Sequence, residues 1–222
     1  MNEQEIAAQL AHPHGERAAE VGEKLAVSNQ TMIRGAMDAL ALAPGDRVLE
    51  IGMAAGRHVD ELLRSAPRGY APRIHYTGVD ISEDMVQEAQ RINASWVAAG
   101  QAKFIAGSSD RLPFADQQFT KILSVNTLYF WNPLTAHLRE IVRVLQPGGR
   151  LVLGFGSRDF MQQLPFTQHG FNLYQPEEMA TQLQHHGLEV VDVQHRKNLG
   201  EAEGYPGIQK DQIILTAIHS NQ

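Results

Sequence analysis

The chain has 222 residues, 43% of them hydrophobic and 20% charged, which suits one globular unit with a sizeable core. Its formal net charge is -6, from 19 Lys and Arg against 25 Asp and Glu, without a basic cluster, so neither nucleic acid nor an anionic membrane surface is an expected partner. There is no cysteine, which excludes disulfides, thiolate nucleophiles and cysteine-bound zinc or iron-sulfur centres.

The first residues, MNEQEIAAQLAHPHGERAAE, are polar and lack the apolar core of a secretion signal. No apolar run approaches the roughly 18 residues that span a bilayer. A cytoplasmic location without membrane insertion is therefore expected.

Residues 1–43 show helical spacing: Ile6/Leu10, Val21/Leu25 and Met32/Ile33/Met37/Leu40 recur every three or four positions, with a break at His12-Pro13-His14-Gly15. They predict an N-terminal helical cap. After the turn Ala43-Pro44-Gly45-Asp46 the pattern changes, and residues 44–222 predict a single compact unit. Strand-like DRVLEIG is followed by helix-like RHVDELLRSA, RIHYTGVDI by SEDMVQEAQRINASWVAAG, and AKFIAG by a loop. FTKILSV leads to NPLTAHLREIVRVL, GRLVLGF to an irregular segment and PEEMATQLQHHG, and LEVVDVQH to a loop and DQIILTAIH. Alternating strands and helices predict an α/β fold with a doubly wound, mainly parallel sheet. The connection around GEAEGYPG is too short for a crossover helix, so the last two strands should form an antiparallel hairpin at the sheet edge. Ser82 reads as an N-cap ahead of Asp84 and Met85, Gly100 and Gly187 as C-caps, and Pro147-Gly148-Gly149 as a tight turn into a strand.

In such a sheet, ligands bind beyond the carboxyl ends of the strands where strand order reverses. The residues there are Gly52 to Gly56, Asp80 to Ser82, Gly107 to Asp110, and Asn126 to Trp131. The first loop, Glu50-x-Gly52-x-Ala54-x-Gly56, is either a plain strand-to-helix turn or a close backbone approach to a ligand, with helix N–H groups free for a carboxylate. A dinucleotide fingerprint would need glycine at positions 54 and 57, which hold Ala and Arg, and no Gly-Lys-Ser/Thr follows for a phosphate loop. Asp80 can accept both hydroxyls of a ribose, or serve a turn before the Ser82 cap. Ser108 and Ser109 can meet a base edge, and Leu112-Pro113-Phe114 packs the returning chain.

EIGMAAG, GVDIS with Met85, GSSDRLPF, QQFTKILS and VLQPGGRLVL occur in the order seen in the class I S-adenosylmethionine-dependent methyltransferases. The chain resembles especially their small-molecule group, similar to ubiquinone and menaquinone biosynthesis methyltransferases, over about residues 29–220. The resemblance implies a Rossmann-like seven-stranded sheet with an antiparallel last strand, and S-adenosyl-L-methionine as cofactor. By position it places Glu50, Gly52, Met53, Ala54 and Gly56 along the methionine moiety and Asp80 on the ribose. Ile81 and Met85 would lie on one face of the adenine, Ser108 and Ser109 at its edge, and Asn126 near the sulfonium. Three positions depart from the family's pattern. Ala54 replaces the central glycine of the first loop and is expected at φ below zero. Ser108 replaces an acidic residue near the adenine amino group, a bond that could move to Asp110. Thr120 replaces a structural aspartate.

A sulfonium methyl is already activated, so the protein must align an acceptor, exclude water and, where needed, take a proton. That chemistry needs no metal, and none is expected. Asn126-Thr127-Leu128-Tyr129 lacks the two prolines that accompany amine methylation of bases or glutamine side chains, which favours a small-molecule acceptor. The aromatic run Tyr129-Phe130-Trp131 stacks either an acceptor or the core. His14, His58 and His169 are candidate proton acceptors, with a helix N-terminus disfavouring the charged form of His58, and no catalytic residue is assigned. Glu177 and Glu178 fit a helix N-terminal turn, and adjacent His185 and His186 point to different faces. The acceptor pocket is expected between the N-terminal helices and the insertion FGSRDFMQQLPFTQHGFNLY, through Met161, Leu164, Phe166 and Phe171. A non-catalytic S-adenosylmethionine-binding or regulatory protein on the same fold is the alternative reading.

Overall fold

The computed structural model describes residues 1–15, 18–65 and 73–220. Ala66, the side chain of Leu25 and the last two residues of the 44–222 unit lie outside the described residues. Three helices come first: α1 (Glu3–Ala11), α2 (Ala18–Ser28) and α3 (Gln30–Leu40). The alternating part then runs β1 (Arg47–Ile51), α4 (Val59–Ser65), β2 (His75–Asp80), α5 (Glu83–Ile92), α6 (Ala94–Ala98), β3 (Ala102–Ala106), β4 (Phe119–Val125), α7 (Leu134–Val144) and β5 (Leu145–Gly156). The short α8 (Arg158–Met161), α9 (Pro176–His185), β6 (Leu188–Arg196), β7 (Glu201–Ala202), β8 (Tyr205–Gln209) and β9 (Gln212–His219) complete the chain.

The sheet has seven strands in the order β3-β2-β1-β4-β5-β9-β6. All neighbours are parallel except β9, which runs antiparallel to both β5 and β6. The predicted hairpin is present, with β9 inserted beside β5 and β6 forming the edge; the connecting segment folds into its own two-stranded ribbon, β7-β8. Strand order reverses between β1 and β4, which is where a doubly wound sheet opens a crevice.

Alternating side chains divide the core between the two faces, as the two-residue period of a strand requires. Leu49, Ile122, Leu151, Leu153, Ile213 and Leu215 pack with Leu138 and Ile141 of α7 and Met179 and Leu183 of α9. Val48, Leu123, Val152 and Ile214 face the other way, against Met32, Ala36 and Leu40 of α3, Leu62 of α4 and Val86 of α5. α3 therefore covers the sheet itself, while α1 and α2 lie over the strand ends.

Two local expectations are corrected. The stretch from Ser82 to Gly100 is not one helix: Asn93 separates α5 from α6, because its buried side chain donates at 3.0 Å to both Ala89 O and Gly56 O. Pro147-Gly148-Gly149 is not a separate turn but part of β5, whose register with β4 jumps from Phe119↔Leu145 to Lys121↔Arg150. That bulge accommodates the positive φ of Gly148. Thr120 supplies structural hydrogen bonds from the aspartate's position, its Oγ1 donating to Asp46 Oδ1 at 2.7 Å and accepting from Arg47 N at 3.0 Å.

Candidate active site

After β1 the chain turns through Gly52 to Gly56 into α4. Gly52 has φ +74°, and a Cβ there would lie 2.0 Å from Thr127 Cγ2, so glycine alone fits. Ala54 is also left-handed, at φ +49°. The expected negative φ is wrong because this conformation aims the Ala54 N–H at Asp80 Oδ2, 2.9 Å away.

Glu50 is buried at the end of β1, where Tyr76 Oη donates to its Oε2 at 2.6 Å and His58 Nε2 lies 2.7 Å from the same oxygen. Burial works against a charged His58, but the charge and hydrogen bond of Glu50 outweigh it and raise the imidazole pKa above its ordinary value. The expectation that the helix N-terminus holds His58 neutral is thereby corrected. Burial and the same carboxylate push the Tyr76 hydroxyl well up.

Asp80 ends β2 with each oxygen holding one backbone N–H, Ala54 on Oδ2 and Ser82 on Oδ1, both at 2.9 Å. Burial raises its pKa despite these bonds. Ser82 caps α5 through its hydroxyl oxygen, which accepts from Met85 N at 3.2 Å. The same hydroxyl donates to Pro13 O, and Gly15 N donates to Asp84 Oδ2 at 2.8 Å. Residues 13–15, after α1, are thus tied down beside Asp80.

Beyond β3, Ser109 Oγ lies 2.7 Å from His137 Nδ1, and the His137 ring stacks on Trp131 with an interplanar angle of 7°. Burial lowers the pKa of His137. Beyond β4, Asn126 is left-handed at φ +57°; its Nδ2 donates to Asn29 Oδ1 at 3.0 Å and its Oδ1 accepts from Tyr129 Oη at 3.0 Å. Tyr129 Oη in turn accepts from Gly156 N at 2.6 Å. This chain of bonds joins the ends of β4 and β5 to the junction of α2 and α3.

Most of these residues border one cavity of about 720 Å³, whereas Tyr76, Ser82, Asp84 and Gly15 lie behind its wall. Of the sequence-selected residues, Glu50, Gly52, Met53, Ala54, Gly56, Asp80, Ile81, Ser108, Ser109 and Asn126 line it, as do Tyr129, Phe130, Trp131, Met161, Leu164, Phe166, Phe171 and His58. Met85 does not: it is 1% exposed and packs on Ala55 beneath the loop. His14, His169 and Asp110 are exposed and also absent from the walls. Asp110 keeps a depressed pKa chiefly through a hydrogen bond from Ser108. Sequence reasoning missed His137, although a polar residue on the Leu138/Ile141 stripe of α7 was a signal. It also missed the ribbon's Tyr205, whose hydroxyl donates to Glu3 Oε2 at 3.1 Å, and Gln212, both of which line the cavity. Glu178 Oε2 accepts from Gln175 N at 3.0 Å in the first turn of α9, as expected of that position.

Strand order, glycine loop and acidic residues at the ends of β1 and β2 define the Rossmann-like class of S-adenosylmethionine-dependent methyltransferases. Residues 49–153 match the family described as "Methyltransferase domain", and the chain is similar to S-adenosylmethionine-dependent methyltransferases, among them ubiquinone and menaquinone methyltransferases. It is 27% identical to "Uncharacterized methyltransferase YdaC" of Bacillus subtilis over 79% of this chain and 89% of that one. It is 33% identical to demethylmenaquinone methyltransferase of Beutenbergia cavernae, over 54% of this chain and 45% of the relative. The geranyl diphosphate C-methyltransferase of Streptomyces coelicolor, solved with Mg2+, geranyl diphosphate and S-adenosyl-L-homocysteine, shares the fold at TM-score 0.70 and 16% identity, over 96% of this chain and 87% of that one. The match thus spans nearly all of YdaC but under half of the demethylmenaquinone enzyme. Among the described residues, no helix is long and apolar enough to cross a membrane.

Proposed function

We propose that the chain transfers the methyl group of S-adenosyl-L-methionine to a small, largely apolar molecule within this cavity. The observation that carries the reading is the cavity's division: polar groups cluster at the ends of β1, β2 and β3, while Phe160, Met161, Leu164, Phe166 and Phe171 after β5, with Ile6, Leu10 and Val21 among the residues of α1 and α2, line the remainder. A volume of about 720 Å³ falls in the upper part of the roughly 300–1,000 Å³ range of small-molecule sites.

The cradle suits this cofactor. Both hydrogen bonds to Glu50 use Oε2, which leaves Oε1 for the amino group of the methionine moiety. Asp80 retains a lone pair on each oxygen for a ribose hydroxyl. Ile81 is 53% exposed, an apolar surface that a planar base would cover, and Ser108 and Ser109 border the same region. Met85 supports Ala55 from below and does not meet the base. When bound, the cofactor supplies an electrophilic methyl group; the protein aligns the acceptor and keeps water out. Asn126 and Tyr129 hold the wall between the two halves. We assign no general base, although His58 and His137 both reach the cavity.

The acceptor is a small molecule rather than a polymer, because α1, α2 and the segment after β5 roof the strand ends. The chain's charge of -6 also gives no footing for a polyanion. Calorimetry with S-adenosylmethionine and S-adenosylhomocysteine is the first test, followed by methyl-labelled cofactor with a metabolite extract. A labelled low-molecular-weight product is expected. Heat with a nicotinamide cofactor and with neither sulfur compound would refute the reading.

A further inference from the structure

Gln212 opens β9 and is 4% exposed, lines the cavity, and has a buried Oε1 without a hydrogen-bond partner among the described residues. Elsewhere in the cavity, Asn126 is engaged by Asn29 and Tyr129, Tyr129 by Gly156, and Asp80 by Ala54 and Ser82. A buried amide oxygen with no donor destabilises a fold and is rare in native proteins, so this one calls for a donor from outside the chain.

Its place in the sheet says which ligand. Because β9 is antiparallel, its first residue stands level with the carboxyl end of β5, in register with Gly156. The ends of β1, β2 and β3 carry the groups assigned to the cofactor; β9 lies on the opposite side of the switch point. Two strand spacings separate β9 from β4, roughly 10 Å, which puts Gln212 on the acceptor side. The cavity lining also takes in the apolar Phe160, Met161, Leu164 and Phe166, with Tyr205, Glu203 and Lys210 from the β6-β9 connection.

We propose that the acceptor is an apolar molecule carrying a hydrogen-bond donor, a hydroxyl or N–H, and that Gln212 receives that donor and so fixes which way the molecule lies. The proposal rests on the cofactor reading above, and its test keeps the two separable. The protein saturated with S-adenosylhomocysteine is titrated calorimetrically with 4-hexylphenol and with hexylbenzene, which differ only in the donor. The full chain should bind the phenol about tenfold more tightly, and Gln212→Leu should bring the two within about twofold while leaving S-adenosylhomocysteine affinity unchanged. Gln212→Met, closer in shape, should give the same result.

Both variants should melt, without ligand, at or above the temperature of the unsubstituted chain, because they remove an unsatisfied buried oxygen. Equal binding of the two probes by the unsubstituted chain, binding of neither, survival of the preference in both variants, or a lowered melting temperature in both would overturn the proposal. Failure of the unsubstituted chain to bind S-adenosylhomocysteine would instead overturn the cofactor reading.

Discussion

At the scale of single residues, Asp80 and Ala54 act together. The carboxylate of Asp80 closes the glycine loop by taking the Ala54 N–H, and that bond holds an alanine in left-handed backbone, at a cost of roughly 1 kcal/mol or more. Ala54→Gly should relieve the strain, less the extra freedom glycine gives the unfolded chain. Thermal denaturation should show a net gain of up to about 1 kcal/mol. Asp80→Ala should weaken S-adenosylhomocysteine binding by about 1–3 kcal/mol, and unaltered affinity in calorimetry would mean the ribose does not lie there. His58 carries a pH dependence. Its folded pKa is raised above the ordinary 6.5, so its stabilising contribution is full below about 6.5 and fades as pH rises through the folded value. His58→Gln should therefore lower the melting temperature more at pH 6 than at pH 8.5, and an equal loss at both would show that the pairing with Glu50 contributes nothing to folding. The acidic residues and glycines of this site could be read in the sequence because their positions after strands carry the meaning. The φ of Ala54 could not, since it follows from a hydrogen bond to a residue on another strand.

The same contrast holds for whole elements. Strands β1, β4, β5 and β9 were legible as apolar runs, because a strand buried on both faces needs no polar alternation. The break between α5 and α6 was not, because Asn93 is drawn out of helical register by Gly56 O, a partner far away in the chain. α7 was legible as an amphipathic helix, yet the role of His137 on its buried stripe depends on Ser109. α1 and α2 were legible as helices, and their position over the strand ends emerges from the ties of Pro13 and Gly15 to α5. They contribute Ile6, Leu10 and Val21 to the cavity wall, while α3 belongs to the sheet. Deleting residues 1–28 should accordingly abolish turnover, with S-adenosylhomocysteine still bound through β1, β2 and β3. Undiminished turnover in a methyl-transfer assay would show that these helices do not enclose the acceptor.

For the molecule as a whole, a ligand that binds only the folded state adds RT ln(1 + [L]/Kd) to its stability, about 2.7 kcal/mol at a concentration of 100 Kd. In a chain of this length each kcal/mol moves the melting temperature by about 2–4 °C. S-adenosylhomocysteine should thus raise it by about 5–10 °C, and a scan unmoved at saturating concentration would contradict a cofactor site in the main cavity. The reversed last strand has a consequence for how such a protein can change over time. It turns the β6-β9 connection, with its small ribbon, toward the chamber proposed for the acceptor, at the far edge from the glycine loop. Residues inserted or exchanged in that connection can reshape what the enzyme accepts while the donor half stays as it is. New substrate ranges are therefore to be sought in variants of residues 197–211, a stretch that can drift without re-evolving the machinery of methyl donation.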